Sequence, residues 1–343
     1  MSRFLLLIVV LILMILVWLF LPVSDPPEIT SPVEIPVIPF SVKEAADSIR
    51  QAEIRSGPLK PDNHARIVWN PEYAHQKAPC SIVYLHGYSA SYGEGAPAHI
   101  RIARDLGCHL YIARLHAHGL RTNEPLQDFY ADSLLTSSGY ALAIGELLGE
   151  HVIVTGTSMG GTLALHLASR FPDKIDALVL LSPLIGFASK TSMLFDTSWG
   201  QRIMRLFLGG RFIFNQPEND DHARYWYGRY HIKSLMTLSH LKNELLSDDM
   251  YSRIQQPVFT GYYYKDEKHQ DQVVSVSAIL KIKEKLGTPD DKIQFMAFPD
   301  AGAHVISSAY RSPAHEQVYE AVTRFLKKQL VSEIPGSSNR VGR

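Results

Sequence analysis

Three side chains spread along this chain have the types and order needed to break an acyl bond: a serine in a glycine-flanked turn, a late histidine, and an aspartate between them. Gly156-Thr157-Ser158-Met159-Gly160 follows an apolar run at 151–157 and opens a helical pattern at 159–170. Glycines two before and two after Ser158 remove the Cβ atoms that would block a sharp strand-to-helix turn. The hydroxyl is then exposed at a helix N-terminus, where the helix dipole favours negative charge. A plain glycine-rich turn with an inert serine has the same letters. What separates the two is whether a base and an acid accompany the serine.

The base is expected at His304, in Phe298-Pro299-Asp300-Ala301-Gly302-Ala303-His304, a loop of small residues after the strand-like run 293–298. Its ring needs an acid to orient it and stabilise the imidazolium, and chain order Ser, Asp, His places that acid between positions 158 and 304. The loop after the run 258–264 offers Asp266 and Asp271. Asp271 is favoured because it stands three residues before Val274, at the start of the next helical pattern; the other is then a solvated loop charge. His116 and His118 have a metal-ligand look, but no third ligand has recognisable spacing. Neither G-x-x-x-x-G-K-[ST] nor a strand-linked G-x-G-x-x-G occurs. No metal and no other cofactor is expected.

Loops of this kind need a scaffold, and from residue 80 onward short β-type runs alternate with helical ones. Runs at 81–85, 109–114, 151–157, 177–182, 258–264 and 293–298 read as strands. Helical patterns occupy 97–106, 159–170, about 273–286 and 313–330, the last N-capped by Ser312. Nearly continuous apolar strands separated by helices imply an α/β fold with a mostly parallel sheet covered on both faces. The interval 184–256 breaks the rhythm: it lacks a clear strand and carries Phe187, Phe195, Trp199, Phe207, Phe212, Phe214 and Trp226. Structureless loops of that length are uncommon, so it is expected to be a helical cap inserted over the sheet, with its own small core.

With these residues in place the chain resembles the α/β-hydrolase superfamily, in its serine carboxylesterase and monoacylglycerol-lipase-like branch, which includes enzymes classed as serine aminopeptidases. The resemblance covers about residues 65–330. It is carried by His86-Gly87-Tyr88-Ser89-Ala90-Ser91 after the first apolar strand, the turn around Ser158, the Asp271-x-x-Val274 loop and the His304 loop. It implies an oxyanion hole made by the backbone N–H groups of Tyr88 and Met159, each such donor contributing roughly 3 kcal/mol. A serine rather than an aspartate at the turn sets the chain apart from the dehalogenase and epoxide-hydrolase branches. Two features depart from the pattern: Tyr262-Tyr263-Tyr264 stands where a glycine is common, and Glu94 in Ser91-Tyr92-Gly93-Glu94-Gly95 has no family role. In this superfamily the strands beginning near Cys80 and Cys108 are parallel neighbours, so these two cysteines are either a bridge, stabilising by about 3 kcal/mol, or two buried thiols.

Composition narrows the partners. Lys+Arg and Asp+Glu are 34 each, for zero net charge, and no basic run is present, which argues against a nucleic-acid partner. Two cysteines exclude a disulfide scaffold and a C-x-x-C site. Residues 4–21 are 18 consecutive apolar residues, a helix of about 27 Å, near the ~30 Å hydrocarbon core, with no small-x-small cleavage site behind them. Arg3 before the run and Asp25 and Glu28 after it orient a single-pass anchor with a cytoplasmic N-terminus and the catalytic body on the periplasmic or extracellular side. Six prolines between 22 and 40 favour an extended linker. The hydrolase domain is expected over 41–334, opening with a capping box at Ser41 and Glu44, and a tail over 335–343.

The expectation is a membrane-tethered serine hydrolase acting on a small carboxylic ester, with a lipid-like acyl chain one candidate for the aromatic cap. A peptidase or amidase is the alternative, with Glu218, Asp220 or Asp221 to hold a substrate amine. A catalytically silent binding protein on the same fold is the other.

Overall fold

The apolar runs are buried on both faces of one sheet. The structure, a computed structural model, describes residues 3–20, 29–30, 32–189 and 212–330. Its strands are β1 (Arg66–Val68), β2 (Ala78–Leu85), β3 (His109–Ile112), β4 (Gly149–Thr157), β5 (Ala177–Leu181), β6 (Phe212–Phe214), β7 (Arg229–His231), β8 (Val258–Tyr262) and β9 (Ile293–Ala297). The main sheet has the order β1-β3-β2-β4-β5-β8-β9, parallel throughout except for the edge strand β1. Alternation along each strand sorts the core into two layers. Val83, Leu85, Val154, Leu178 and Leu180 pack with Leu142, Leu163 and Leu167 on one face. Ile82, Tyr84, Ile153, Val179 and Leu181 pack with Ile102, Val322 and Phe325 on the other. Each fully buried side chain of this size contributes about 1.5–3 kcal/mol.

The helices are α1 (Arg3–Phe20), α2 (Val42–Arg55), α3 (Ala98–Leu106), α4 (Ala131–Leu148), α5 (Met159–Arg170), α6 (Asp220–Tyr225), α7 (Ile232–Leu245), α8 (Asp248–Ser252), α9 (Val276–Ile282) and α10 (His315–Leu330). Helix α2 begins where Ser41 N–H meets the Glu44 carboxylate at 2.9 Å. Two helices are shorter than their patterns suggested. Residues 273–275 are drawn into a turn around Asp271, so α9 starts only after Ser275, whose hydroxyl accepts Ala278 N–H at 3.2 Å. Ser312 ties Ala301 O to its own turn, and α10 starts at His315.

The expectation for the cap needs correction. The interval 184–256 is not without strands, because β6 and β7 pair antiparallel beside the helices α6, α7 and α8. A small core of the cap's own is present, Ile232 and Met236 with Ile213 and Leu235, but the buried aromatics Tyr225 and Trp226 pack outside it, with Ala90 and Val305 of the body's loops. Phe195, Trp199, Phe207 and the tail 335–343 lie outside the described residues.

The proline-rich segment, expected as an extended linker over 22–40, lies along the body over its described residues 29–30 and 32–40. Thr30 Oγ1 donates to Asp132 at 2.6 Å and Val33 is buried against the core. Gly139 of α4 leaves the room: a Cβ there would fall 2.1 Å from Glu34 O. Helix α1 forms over 18 residues, and its described side chains, Phe4 to Val17, are all exposed. Among the described residues no helix is long and apolar enough to cross a membrane.

Cys80 and Cys108 are joined by a disulfide with Cα atoms 4.6 Å apart. The pairing of Ser81 with His109 in the parallel β2–β3 ladder puts the two preceding residues side by side.

Candidate active site

Strand β4 ends at Thr157 and helix α5 starts at Met159, leaving Ser158 alone to reverse the chain at φ 52° and ψ −116°. A non-glycine residue with that φ costs about 1–3 kcal/mol and persists only where its surroundings hold it. Here Ser158 N–H donates to Leu181 O at 3.0 Å, and Ser158 O accepts Gly161 N–H at 2.9 Å and Leu184 N–H at 3.0 Å. The flanking glycines are steric requirements: a Cβ at Gly160 would fall 2.0 Å from Leu85 O, and one at Gly156 2.3 Å from Gly160 O.

His304 lies in the loop after β9, and its Nδ1 is 2.7 Å from Asp271 Oδ2. The other oxygen of Asp271 accepts Val273 N–H at 2.8 Å and Val274 N–H at 3.0 Å. The Asp271 side chain is wholly buried. Burial pushes its carboxyl pKa up, but the His304 charge and hydrogen bond, with the two amides, outweigh this and leave it below the usual carboxylate value. For His304 burial favours the neutral ring; the Asp271 charge and hydrogen bond, helped by Glu94, reverse that and raise its pKa. Asp266 points elsewhere. Half exposed, it holds its own turn through Lys268 N–H and His269 N–H, both at 2.9 Å, and through the His269 ring.

The loop after β2 reaches the same place. A Cβ at Gly87 would fall 3.1 Å from Ser158 Cβ and 2.7 Å from Glu94 Oε1. Among the described residues, the amides around it are occupied: Gly87 N–H donates to Glu94, Ser89 N–H to His118 Nε2 and Ala90 N–H to Gly87 O. Among the described residues no acceptor faces Tyr88 N–H or Met159 N–H, the two donors the resemblance assigned to an oxyanion. Two neutral histidines fix this loop to the one after β3. His86 Nδ1 meets Gly87 O at 2.9 Å while its Nε2 accepts Leu115 N–H at 3.1 Å, and burial pushes its pKa down to about 4. His118 Nδ1 meets His116 O at 2.8 Å, and burial likewise lowers its pKa. His116 Nε2 meets Asp128 O at 2.7 Å. The His116/His118 pair weighed above as metal ligands is thus engaged by backbone.

A family model described as the alpha/beta hydrolase fold matches residues 81–277, more than half of the chain. The chain belongs to the α/β-hydrolase family. Solved structures agree on the fold. A metagenome-derived lipolytic enzyme is 14% identical, with a TM-score of 0.60 over 79% of this chain and 99% of that one. A monoacylglycerol lipase from Paleococcus ferrophilus is 19% identical, with a TM-score of 0.55 over 78% of this chain and 98% of that one. A putative non-heme bromoperoxidase from Mycobacterium tuberculosis is 14% identical, with a TM-score of 0.55 over 79% and 98%. These proteins differ in their stated activities, so within the α/β-hydrolase family the chemistry is set by the residues of the site and not by the fold.

Sequence reasoning overlooked what holds the α/β-hydrolase site in place. His86 and His118 were visible, but their role depends on two loops that meet only in the fold. The cap's grip was also hidden: Tyr227 N–H donates to Ser89 O at 3.0 Å, Ser91 Oγ to Tyr225 O at 3.0 Å, and the Tyr88 and Ser234 hydroxyls bond each other.

Proposed function

We propose that the chain is a serine hydrolase of carboxylic esters. Ser158 Oγ attacks the acyl carbonyl as His304 Nε2 takes its proton, and Tyr88 N–H and Met159 N–H receive the oxyanion. His304 returns the proton to the departing alcohol, leaving an acyl group on Ser158. Water, activated by the same imidazole, then releases the acid and frees the serine. Asp271 keeps the His304 proton on Nδ1, so that Nε2 is the basic nitrogen. The observation that carries this reading is the 2.7 Å contact between His304 and a buried Asp271, in a chain whose serine is held separately at a strained strand-to-helix turn.

Similarity to a lipolytic enzyme and a monoacylglycerol lipase supports an ester, and an acyl chain, as substrate. The amidase alternative loses one support: Glu218, a candidate for binding a substrate amine, is paired with Arg311 at 2.7 Å. Hydrolysis of p-nitrophenyl acyl esters and of monoacylglycerols, by the wild type and Ser158→Ala, tests the assignment; turnover by the variant equal to wild type contradicts it.

We further propose that the apolar run 4–21, most of which is described as α1, tethers the enzyme to a membrane. Fourteen consecutive apolar side chains, Phe4 to Val17, are exposed, and lipid is the medium that suits such a run. With Arg3 on the cytoplasmic side the body lies across the membrane, and a bridged Cys80–Cys108 pair suits the oxidising compartment found there.

A further inference from the structure

One carboxyl group stands inside this site without a part in the acyl transfer just described. Glu94 is 2% exposed and closes the short turn Tyr92–Glu94. Its Oε2 accepts Gly87 N–H, the peptide preceding Tyr88, and Tyr84 OH at 3.3 Å. Tyr84 OH also meets Thr157 Oγ1 at 3.1 Å, one residue before Ser158. From the histidine loop, Ser307 Oγ donates to Glu94 O at 3.3 Å and Ser308 Oγ to Gly93 O at 2.6 Å. The loop after β2, the end of β4 and the histidine loop are therefore joined around this residue.

We propose that Glu94 is a positioning residue: it fixes the Gly87 peptide so that Tyr88 N–H faces the reacting carbonyl, and it supplies a second carboxylate, besides Asp271, that acts on His304. The proposal rests on the ester-hydrolase reading above. Tyr84 from β2 bonds the Glu94 carboxylate, the His304 charge acts on it, and His99 of α3 lies edge-on behind Tyr84 at 4.8 Å between ring centroids. Those acting on His304 are Asp271 and Glu94. Burial pushes the Glu94 carboxyl up to about 7, against the Gly87 N–H bond, the His304 charge and the Tyr84 bond. Ionised Glu94 favours the imidazolium. Without its charge, His304 becomes the free base at lower pH.

The test is the pH dependence of kcat and KM for wild type, Glu94→Gln and Glu94→Ala, with His304 titrated by NMR in the same three full-length proteins. In Glu94→Gln an amide oxygen still accepts Gly87 N–H, so kcat falls by no more than about ten-fold, while the acid limb and the His304 midpoint both move to lower pH by about half a unit or more. Glu94→Ala removes the acceptor and lowers kcat about 100-fold with little change in KM. If Glu94→Ala does not fold, Glu94→Gln decides alone. Profiles and midpoints of Glu94→Gln that superimpose on wild type overturn the proposal, as does full kcat in a folded Glu94→Ala. A shifted His304 midpoint in a protein that hydrolyses no ester upholds the Glu94–His304 coupling and removes the hydrolase reading instead.

Discussion

Asp271 divides its two oxygens between His304 Nδ1, at 2.7 Å, and the amides of Val273 and Val274, so that the start of one loop fixes the ring of another. Asp271→Asn keeps the shape but can leave the proton on the wrong nitrogen, and losses of order 10⁴ in kcat are expected for this role. The sign of the pH effect follows from the causes. Burial alone would lower the His304 pKa and Asp271 reverses it; removing the charge therefore moves the acid limb of kcat/KM to lower pH even as the rate falls. Asp266→Asn is expected to leave rate and profile unchanged. Profiles of the two variants, measured side by side, check both statements, and reversed effects would move the acid to Asp266.

The disulfide should matter for stability and little for turnover. It joins the starting ends of β2 and β3, whereas Ser158 follows the far end of the neighbouring strand β4. Closing a loop with a sequence separation of 28 contributes about 3–4 kcal/mol on the chain-entropy account. Reduction, or the double replacement Cys80→Ala with Cys108→Ala, is expected to lower Tm by about 5–10 °C and to leave kcat/KM within about two-fold. Alkylation of the denatured, unreduced protein should find no reactive thiol; two reactive thiols would refute the bridge.

The membrane proposal is checked by fractionation. The full chain is expected in the membrane pellet and resistant to carbonate extraction, and a variant beginning at Ile29 is expected in the supernatant with its activity retained. A reporter fused after Phe40 that is active only in the cytoplasm would contradict the orientation argued from Arg3.

Much of this was legible in the sequence, for local reasons. The turn at Ser158 could be read because one strand, two glycines and one helix lie consecutively in the chain, and the spacing of Asp271 to Val274 encodes the two amides it accepts. The parallel sheet showed in its apolar runs, but the edge strand β1 did not. Arg66–Val68 is only three residues long and half buried, and it pairs by virtue of β3 rather than its own pattern. The packed segment from Ile29 was hidden because proline content predicts extension and says nothing of what the extended chain touches. Glu94 stood out in the sequence only as an acid with no family role, because its neighbours in the chain do not show what covers it. Its burial comes from Tyr225 and Tyr84, which crowd Gly93 and Gly95 so closely that a Cβ would fall 2.3 Å and 2.7 Å from their rings.

The central claim is that Ser158 is the nucleophile. Labelling of the full-length protein with a fluorophosphonate, followed by peptide mapping, tests it most directly. One adduct on Ser158 is expected, absent from Ser158→Ala, whose kcat should fall by about 10⁶ while its fold and Tm stay within error of wild type. An adduct on another serine, or undiminished labelling and turnover in Ser158→Ala, would contradict it.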